Sequence, residues 1–469
     1  MKDYNNITRI YFIGIGGIGM SALARYFLHK NVIVSGYDKT PTALTKQMES
    51  EGISIHYEDN ISLIDKDADV VVYTPAIPTD HKELNYYKAH HYELAKRSDV
   101  LQEITKSSYN ICVAGTHGKT TVSTMIAHIL RDSGFGCNAF LGGISVNYQT
   151  NFWSSGNNVS VVEADEYDRS FLKLSPDIAL ITAMDADHLD IYGTKEKMEE
   201  AFVEFANQLK PDGLLLTRYG LPEKEFTASM HLRYSLQNDA ADAYACNILM
   251  KDGGYEFDIK NGVTEITNIR LNMGGMHNVE NAVAAIVVAD YLKIDPQRIK
   301  EAVDSFKGVK RRFEYIISPD EASKQRNNVV FIDDYAHHPQ ELSALIKGAK
   351  SLFTNRKCTV IFQPHLFSRT KDFAKEFAES LDMADRVLLL PIYPAREKPM
   401  EGVTSELILK EMKNENATVI SKEGLLEYLK DDYLKAVAAS SYGELLITAG
   451  AGDIDKLVQP IKEILQNTF

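Results

Sequence analysis

The segment Ala114-Gly115-Thr116-His117-Gly118-Lys119-Thr120-Thr121 constrains this chain more than any other stretch. It follows the apolar run Ile111–Val113. It precedes a segment in which Val122, Met125, Ile126, Ile129 and Leu130 recur at helical spacing. A glycine-containing turn between a buried strand and a helix is the setting a polyphosphate loop requires. Glycines let backbone N–H groups turn inward, and the helix N-terminus adds positive partial charge. Lys119 then reaches terminal phosphates, and the Thr120 hydroxyl suits Mg²⁺. Val113 stands where the strict pattern has its first glycine, so the loop is a variant. ATP rather than GTP is expected, although the loop itself does not select the base.

Strand-like and helix-like runs alternate almost throughout, which predicts an α/β chain with mostly parallel sheets. With 469 residues, two to four domains are expected. The first begins with a strand at Ile10–Ile13, the turn Gly14-Ile15-Gly16-Gly17-Ile18-Gly19 and a helix to about His29. Strands at Val32–Ser35, leading to Asp38, and at Val70–Tyr73, leading to Thr74, follow. Such a loop with Asp38 downstream fits a pyrophosphate-linked nucleotide, either a dinucleotide or a UDP-sugar. The stretch Ala95–Lys106 reads as the exit to a second domain, and a third starts after Arg311-Arg312. Its strands are expected near Val329–Ile332, Thr359–Phe362, Val387–Leu390 and Leu445–Ile447.

In the second domain two buried runs, Val159–Val162 and Ile178–Thr182, end in polar clusters. Glu163-Ala164-Asp165-Glu166 closes the first, and Asp185-Ala186-Asp187-His188-Leu189-Asp190 follows the second. Carboxylates at the ends of parallel strands sit where α/β proteins place ligands. Glu163 directly follows its apolar run and is expected nearest the phosphates, as a Mg²⁺ ligand. His188 beside carboxylates reads as a metal ligand or a proton carrier.

The formal charge of −14 argues against nucleic acid or an anionic membrane as the main partner. Four cysteines without CxxC spacing read as reduced core thiols. No apolar run reaches about 18 residues and the first residues are polar, so no membrane span or signal peptide is expected, and a cytoplasmic enzyme is.

Taken together these segments resemble the Mur ligases over nearly the whole chain. Gly14–Ser21 is similar to that family's UDP-sugar loop and Gly115–Thr121 to its ATP loop. Glu163–Glu166 and Asp187–Asp190 look like its two Mg²⁺-site segments. Met276-His277-Asn278-Val279-Glu280-Asn281-Ala282 resembles the helix that contacts adenine, and Arg311-Arg312-Phe313-Glu314 the entry to the third domain. Asp334-Tyr335-Ala336-His337-His338-Pro339 and Phe362–Thr370 are similar to segments that close on ATP and the incoming amino acid. Leu366 stands where members can carry Arg, and Thr74-Pro75 where a Ser is often found.

The resemblance implies three domains: a UDP-sugar-binding Rossmann-like domain over 1–104, a central ATP-binding P-loop domain over 105–311, and a C-terminal Rossmann-like domain over 312–469. It implies that Gly16, Gly17, Ile18, Gly19, Asp38 and Thr74 bind the UDP-sugar. Gly115, Thr116, His117, Gly118, Lys119, Thr120 and Thr121, with His277, Asn278, Asn281 and Arg312, would bind ATP. Thr120, Glu163 and His188 would hold Mg²⁺. Tyr335, His365 and Arg369 would bind the amino acid or the transferring phosphate. Lys119, Glu163, His188, His337 and Arg369 would take part in catalysis. Within the family the N-terminal Gly-Gly-Ile-Gly-Met-Ser looks most like the branch that joins L-alanine to UDP-N-acetylmuramate, through an acyl phosphate, in peptidoglycan precursor synthesis. Its rivals are an NAD(P)-dependent oxidoreductase, a non-catalytic nucleotide-gated binding protein, a ligase that attaches a ready-made tripeptide and, more distantly, a folate polyglutamylating ligase. The sequence leaves the oligomeric state open.

Overall fold

The computed structural model describes residues 4–167, 169–185, 189–222, 226–325, 327–395, 397–439 and 442–466. Among the described residues the chain is α/β throughout, with three sheets and two compact units. One unit comprises Met1–Cys246, Ile259–Thr267 and Glu280–Val303; the other comprises Asn247–Asp258, Asn268–Val279 and Asp304–Phe469.

The first unit opens with a five-stranded parallel sheet. Its order is Ser54–His56, Ile33–Tyr37, Arg9–Ile13, Val70–Tyr73 and Leu94–Lys96. Val70, Val71 and Val72 are fully buried. A continuous β-branched run suits a strand covered on both faces. The chain order reverses between Arg9–Ile13 and Val70–Tyr73, and a ligand crevice lies at the carboxyl ends beside such a reversal. The helix Ile18–His29 buries Met20, Leu23, Ala24 and Phe27 at helical spacing.

The second sheet carries the turn Ala114–Thr121. Its parallel core places Tyr109–Ala114 between Ile178–Ile181 and Val159–Glu163. Asn138–Ser145 continues it in parallel, and Thr150–Trp153 closes that edge antiparallel. The helix Lys119–Asp132 is buried from Thr120 through Leu130. The hairpin Asn138–Trp153 escaped the sequence reading because Gly142-Gly143 interrupts its apolar pattern. It packs on the first domain, with Tyr26 5.4 Å from Phe140 and 6.1 Å from Phe152 between ring centres.

The second unit holds a six-stranded sheet. Val329–Asp334, Gly443–Ala449, Arg356–Phe362, Arg386–Leu389 and Ala417–Val419 are parallel, and Glu314–Ile317 runs antiparallel at one edge. The four strands expected here are present, each within a few residues of its expected ends. Glu314–Ile317 and Ala417–Val419 were not anticipated.

Candidate active site

The turn after Tyr109–Ala114 has the conformation its glycines permit. Gly115 has φ +132° and Gly118 has φ +81°, where L side chains are strained. A Cβ on Gly115 would overlap the Thr182 hydroxyl and stand 2.8 Å from the Ala183 nitrogen. The loop is laced to the end of the neighbouring strand. Thr116 N–H donates to the Ala183 carbonyl (3.1 Å), and Asp185 N–H to the Thr116 hydroxyl (3.2 Å). The Thr182 hydroxyl lies against the Ala114 (3.1 Å) and His117 carbonyls. Asn281 also reaches this turn: a Cβ on Gly118 would stand 2.9 Å from its Oδ1. His117 is exposed, with Nε2 3.7 Å from Asp185. Thr121 faces the interior of the helix's first turn, 5% exposed.

Lys119 Nζ donates to the Gly115 carbonyl (2.6 Å) and to Glu166 Oε1 (2.8 Å). Glu166 is buried, and its burial pushes the carboxyl above its ordinary range even beside Lys119. Its Oε2 has no hydrogen-bond partner. The Thr120 hydroxyl donates to Glu163 Oε1 (3.1 Å), and Gly142 N–H donates to Glu163 Oε2 (3.1 Å). A Cβ on Gly142 would collide with that carboxylate. Glu163 therefore lies beside Thr120, as read from the sequence. Glu166, Gly142 and Thr182 were not singled out. The Glu-Ala-Asp-Glu spacing held a signal for Glu166, whereas Gly142 and Thr182 acquire their place only through the sheet. His188 lies outside the described residues.

In the first loop Gly14 and Ile15 donate to the Tyr37 carbonyl (2.8 and 3.0 Å). Asp38 Oδ2 accepts the Gly16 N–H at 2.8 Å, so this carboxylate shapes the loop directly. Gly17 caps the helix that begins at Ile18, and Gly19 packs under Arg97. Half-buried Thr74 begins the turn after Val70–Tyr73, its carbonyl accepting Ile77 N–H (3.2 Å).

In the second unit Tyr335, His337, His365 and Tyr393 form a chain of rings. Centroids lie 5.0 Å apart from Tyr335 to His337, then 5.9 Å to His365 and 5.9 Å to stacked Tyr393. Burial first, then neighbouring cationic groups, holds His365 below the ordinary imidazole range; burial does the same to His337. His365 Nδ1 and Arg369 Nη1 are buried without a hydrogen-bond partner. Leu366, between them, has φ +70°, a strained setting of the kind found at functional sites. Arg312 N–H donates to the Val309 carbonyl (3.2 Å). In the helix Met276–Tyr291, Asn278 Nδ2 donates to the Gly274 carbonyl (2.7 Å), and the His277 ring lies against Gly275.

Three family models match this chain: the Mur ligase family catalytic domain over residues 9–109, the Mur ligase middle domain over 113–289, and the Mur ligase glutamate ligase domain over 311–452. A UDP-N-acetylmuramate–L-alanine ligase of Cytophaga hutchinsonii is 47% identical over 477 residues, spanning 100% of this chain and 99% of its own. The chain belongs to the Mur ligase family. The enzyme of the same description from Parabacteroides distasonis is 47% identical to this Mur ligase, covering 99% of this chain and 98% of its own. The crystal structure of a UDP-N-acetylmuramate–alanine ligase from Thermotoga maritima matches this Mur ligase with a TM-score of 0.81 at 28% identity, over 98% of this chain and 100% of that one. A murein peptide ligase from Psychrobacter arcticus has the same fold, with a TM-score of 0.65 at 22% identity, over 98% and 99% of the two chains.

Proposed function

We propose that this Mur ligase joins L-alanine to the lactyl carboxylate of UDP-N-acetylmuramate, cleaving ATP to ADP and phosphate, in peptidoglycan precursor synthesis. Identity of 47% over the full length to relatives of that description carries this reading. The gathering of Lys119, Thr120 and Glu163 at one strand-end cleft supports it. The three domains are proposed to meet near residues 104 and 311. Both nucleotide substrates are soluble anions, and we assign the reaction to the cytoplasm. Among the described residues no helix is long and apolar enough to cross a membrane.

A carboxylate resists attack by an amine because its leaving group would be an oxide. Attack of a carboxylate oxygen on the γ-phosphorus of ATP releases ADP and leaves an acyl phosphate. The alanine nitrogen then attacks the acyl carbon, and the tetrahedral intermediate expels phosphate. The first step brings two anions together, so charge neutralisation dominates. Lys119 exchanges Gly115 and Glu166 for phosphate oxygens. Thr120 and Glu163 would hold Mg²⁺, since both are hard oxygen donors. Their oxygens are 3.1 Å apart. His188 is the further proposed ligand. Bound there, Mg²⁺ supplies charge that offsets the repulsion of carboxylate and phosphate. Arg369 and His365 carry buried polar atoms without partners, and such atoms call for a ligand. With His337 and Tyr335 they are assigned to the alanine carboxylate or the transferring phosphate. Arg312, His277, Asn278 and Asn281 are assigned to ATP.

The test is phosphate release from ATP with Mg²⁺ and UDP-N-acetylmuramate, adding L-alanine, the tripeptide or L-glutamate in turn and weighing the products. Release with L-alanine and a product heavier by one alanyl residue is expected. Release only with the tripeptide reassigns the substrate, and no release with any of them removes the proposed reaction.

A further inference from the structure

A cavity of about 120 Å³ opens where the helix Ile18–His29 meets the central sheet. Ile18, Gly19, Gly142 and Glu163 line it, together with Arg97 and Asp165. Arg97 is the one basic residue among the described residues that line it. It opens the helix Arg97–Lys106 and lays its guanidinium over Gly19. A Cβ on Gly19 would overlap Nη1 and come within 3.2 Å of Cδ. The last glycine of the first loop thus makes room for an arginine.

Arg97 is held loosely. Its ion pair with Asp165 is long, at 3.4 Å, and the two side chains are 26% and 40% exposed. Exposed pairs of that kind contribute little and exchange partners readily. Glu163 and Asp165 both line the cavity, so an anion entering it meets two carboxylates and needs a cation. The planar guanidinium fork matches a carboxylate with two parallel hydrogen bonds. Position narrows the occupant. The cavity lies between the loop read as the pyrophosphate seat and Glu163, where the terminal phosphate of ATP is assigned.

We propose that Arg97 binds the acceptor carboxylate of the nucleotide-linked sugar, leaving Asp165 to do so and holding the carboxylate on the Glu163 side of the cavity. This rests on the ligase reading above.

Calorimetric titration of the intact protein with UDP-N-acetylmuramate and with UDP-N-acetylglucosamine, which lacks the lactyl carboxylate, tests it. Arg97→Ala is expected to weaken UDP-N-acetylmuramate binding roughly 10- to 100-fold, the worth of a charge-assisted pair. UDP-N-acetylglucosamine binding should be unchanged, and Arg97→Lys should recover part of the loss. Equal weakening for both ligands reassigns Arg97 to the pyrophosphate and overturns the proposal, as does no weakening for either. If Arg97→Ala melts early, Asp165→Asn serves instead: it should tighten UDP-N-acetylmuramate alone, and loss of that tightening overturns the proposal. A wild-type protein that binds UDP-N-acetylglucosamine but is indifferent to the carboxylate sinks the carboxylate site. One that binds neither ligand sinks the ligase reading itself.

Discussion

At the scale of single residues, Lys119 is the cation proposed to bind phosphate. It rests on a carbonyl and on buried Glu166, whose second oxygen lacks a partner. Lys119→Ala is expected to lower turnover by at least ~10²-fold, the scale set by losing one preorganised electrostatic donor. Calorimetric affinity for UDP-N-acetylmuramate should stay unchanged; normal turnover would remove the phosphate-loop assignment. Glu83, in the first domain, makes a pH prediction. It is fully buried, accepts from Tyr11 (2.7 Å) and Asn60 (3.0 Å), and burial raises its carboxyl from 4.5 to about 7. The folded state therefore holds this proton more tightly than the unfolded chain. That stabilisation is complete below pH 4.5 and is lost as pH rises towards about 7. Glu83→Gln mimics the protonated acid, so its melting temperature should fall less than the wild type's across this window. Parallel melting profiles for the two proteins would contradict the assignment.

Among the elements, the hairpin Asn138–Trp153 connects Glu163 to the helix after the first glycine turn. On one strand Gly142 N–H positions Glu163. On the other, buried Asn151 donates to the Ile18 carbonyl (2.6 Å) and the Ser21 hydroxyl (3.0 Å) and accepts from Arg25 (2.6 Å). Arg25 in turn holds Glu51. The helix that starts at the first glycine loop is thereby bolted to the strand pair beside Glu163. Gly142→Ala puts a methyl group where the Glu163 carboxylate lies. Its Mg²⁺ requirement should rise roughly 10- to 100-fold, the usual consequence of disturbing a group that orients a metal ligand. An unchanged Mg²⁺ titration of ATP turnover would take Glu163 away from the metal. Strand-end carboxylates were legible because a polar cluster after an apolar run marks where a buried strand surfaces. The hairpin was not, because its glycines conceal the alternation and its partners on the first helix lie more than a hundred residues away.

For the whole molecule, the division into two compact units predicts unfolding that is not two-state. Scanning calorimetry should resolve two transitions, with ATP and Mg²⁺ raising chiefly the one belonging to the unit that carries Lys119. A single transition with equal calorimetric and van't Hoff enthalpies would show that the units unfold as one. The buried, partnerless atoms of His365 and Arg369 belong to the other unit.

By itself the sequence determined the class of fold and the locations of the two glycine-rich turns. Those features are local: a buried run, glycines at the turn and a periodic helix all lie within about thirty residues. The resemblance also assigned Thr120 and Glu163 to one Mg²⁺, and the two side chains lie 3.1 Å apart. Only the tertiary structure decided that Glu166 partners Lys119, that Gly142 seats Glu163, and that Gly19 yields its space to Arg97. Each depends on backbone brought together across the sheets, and packing of that kind leaves no periodic trace along the chain.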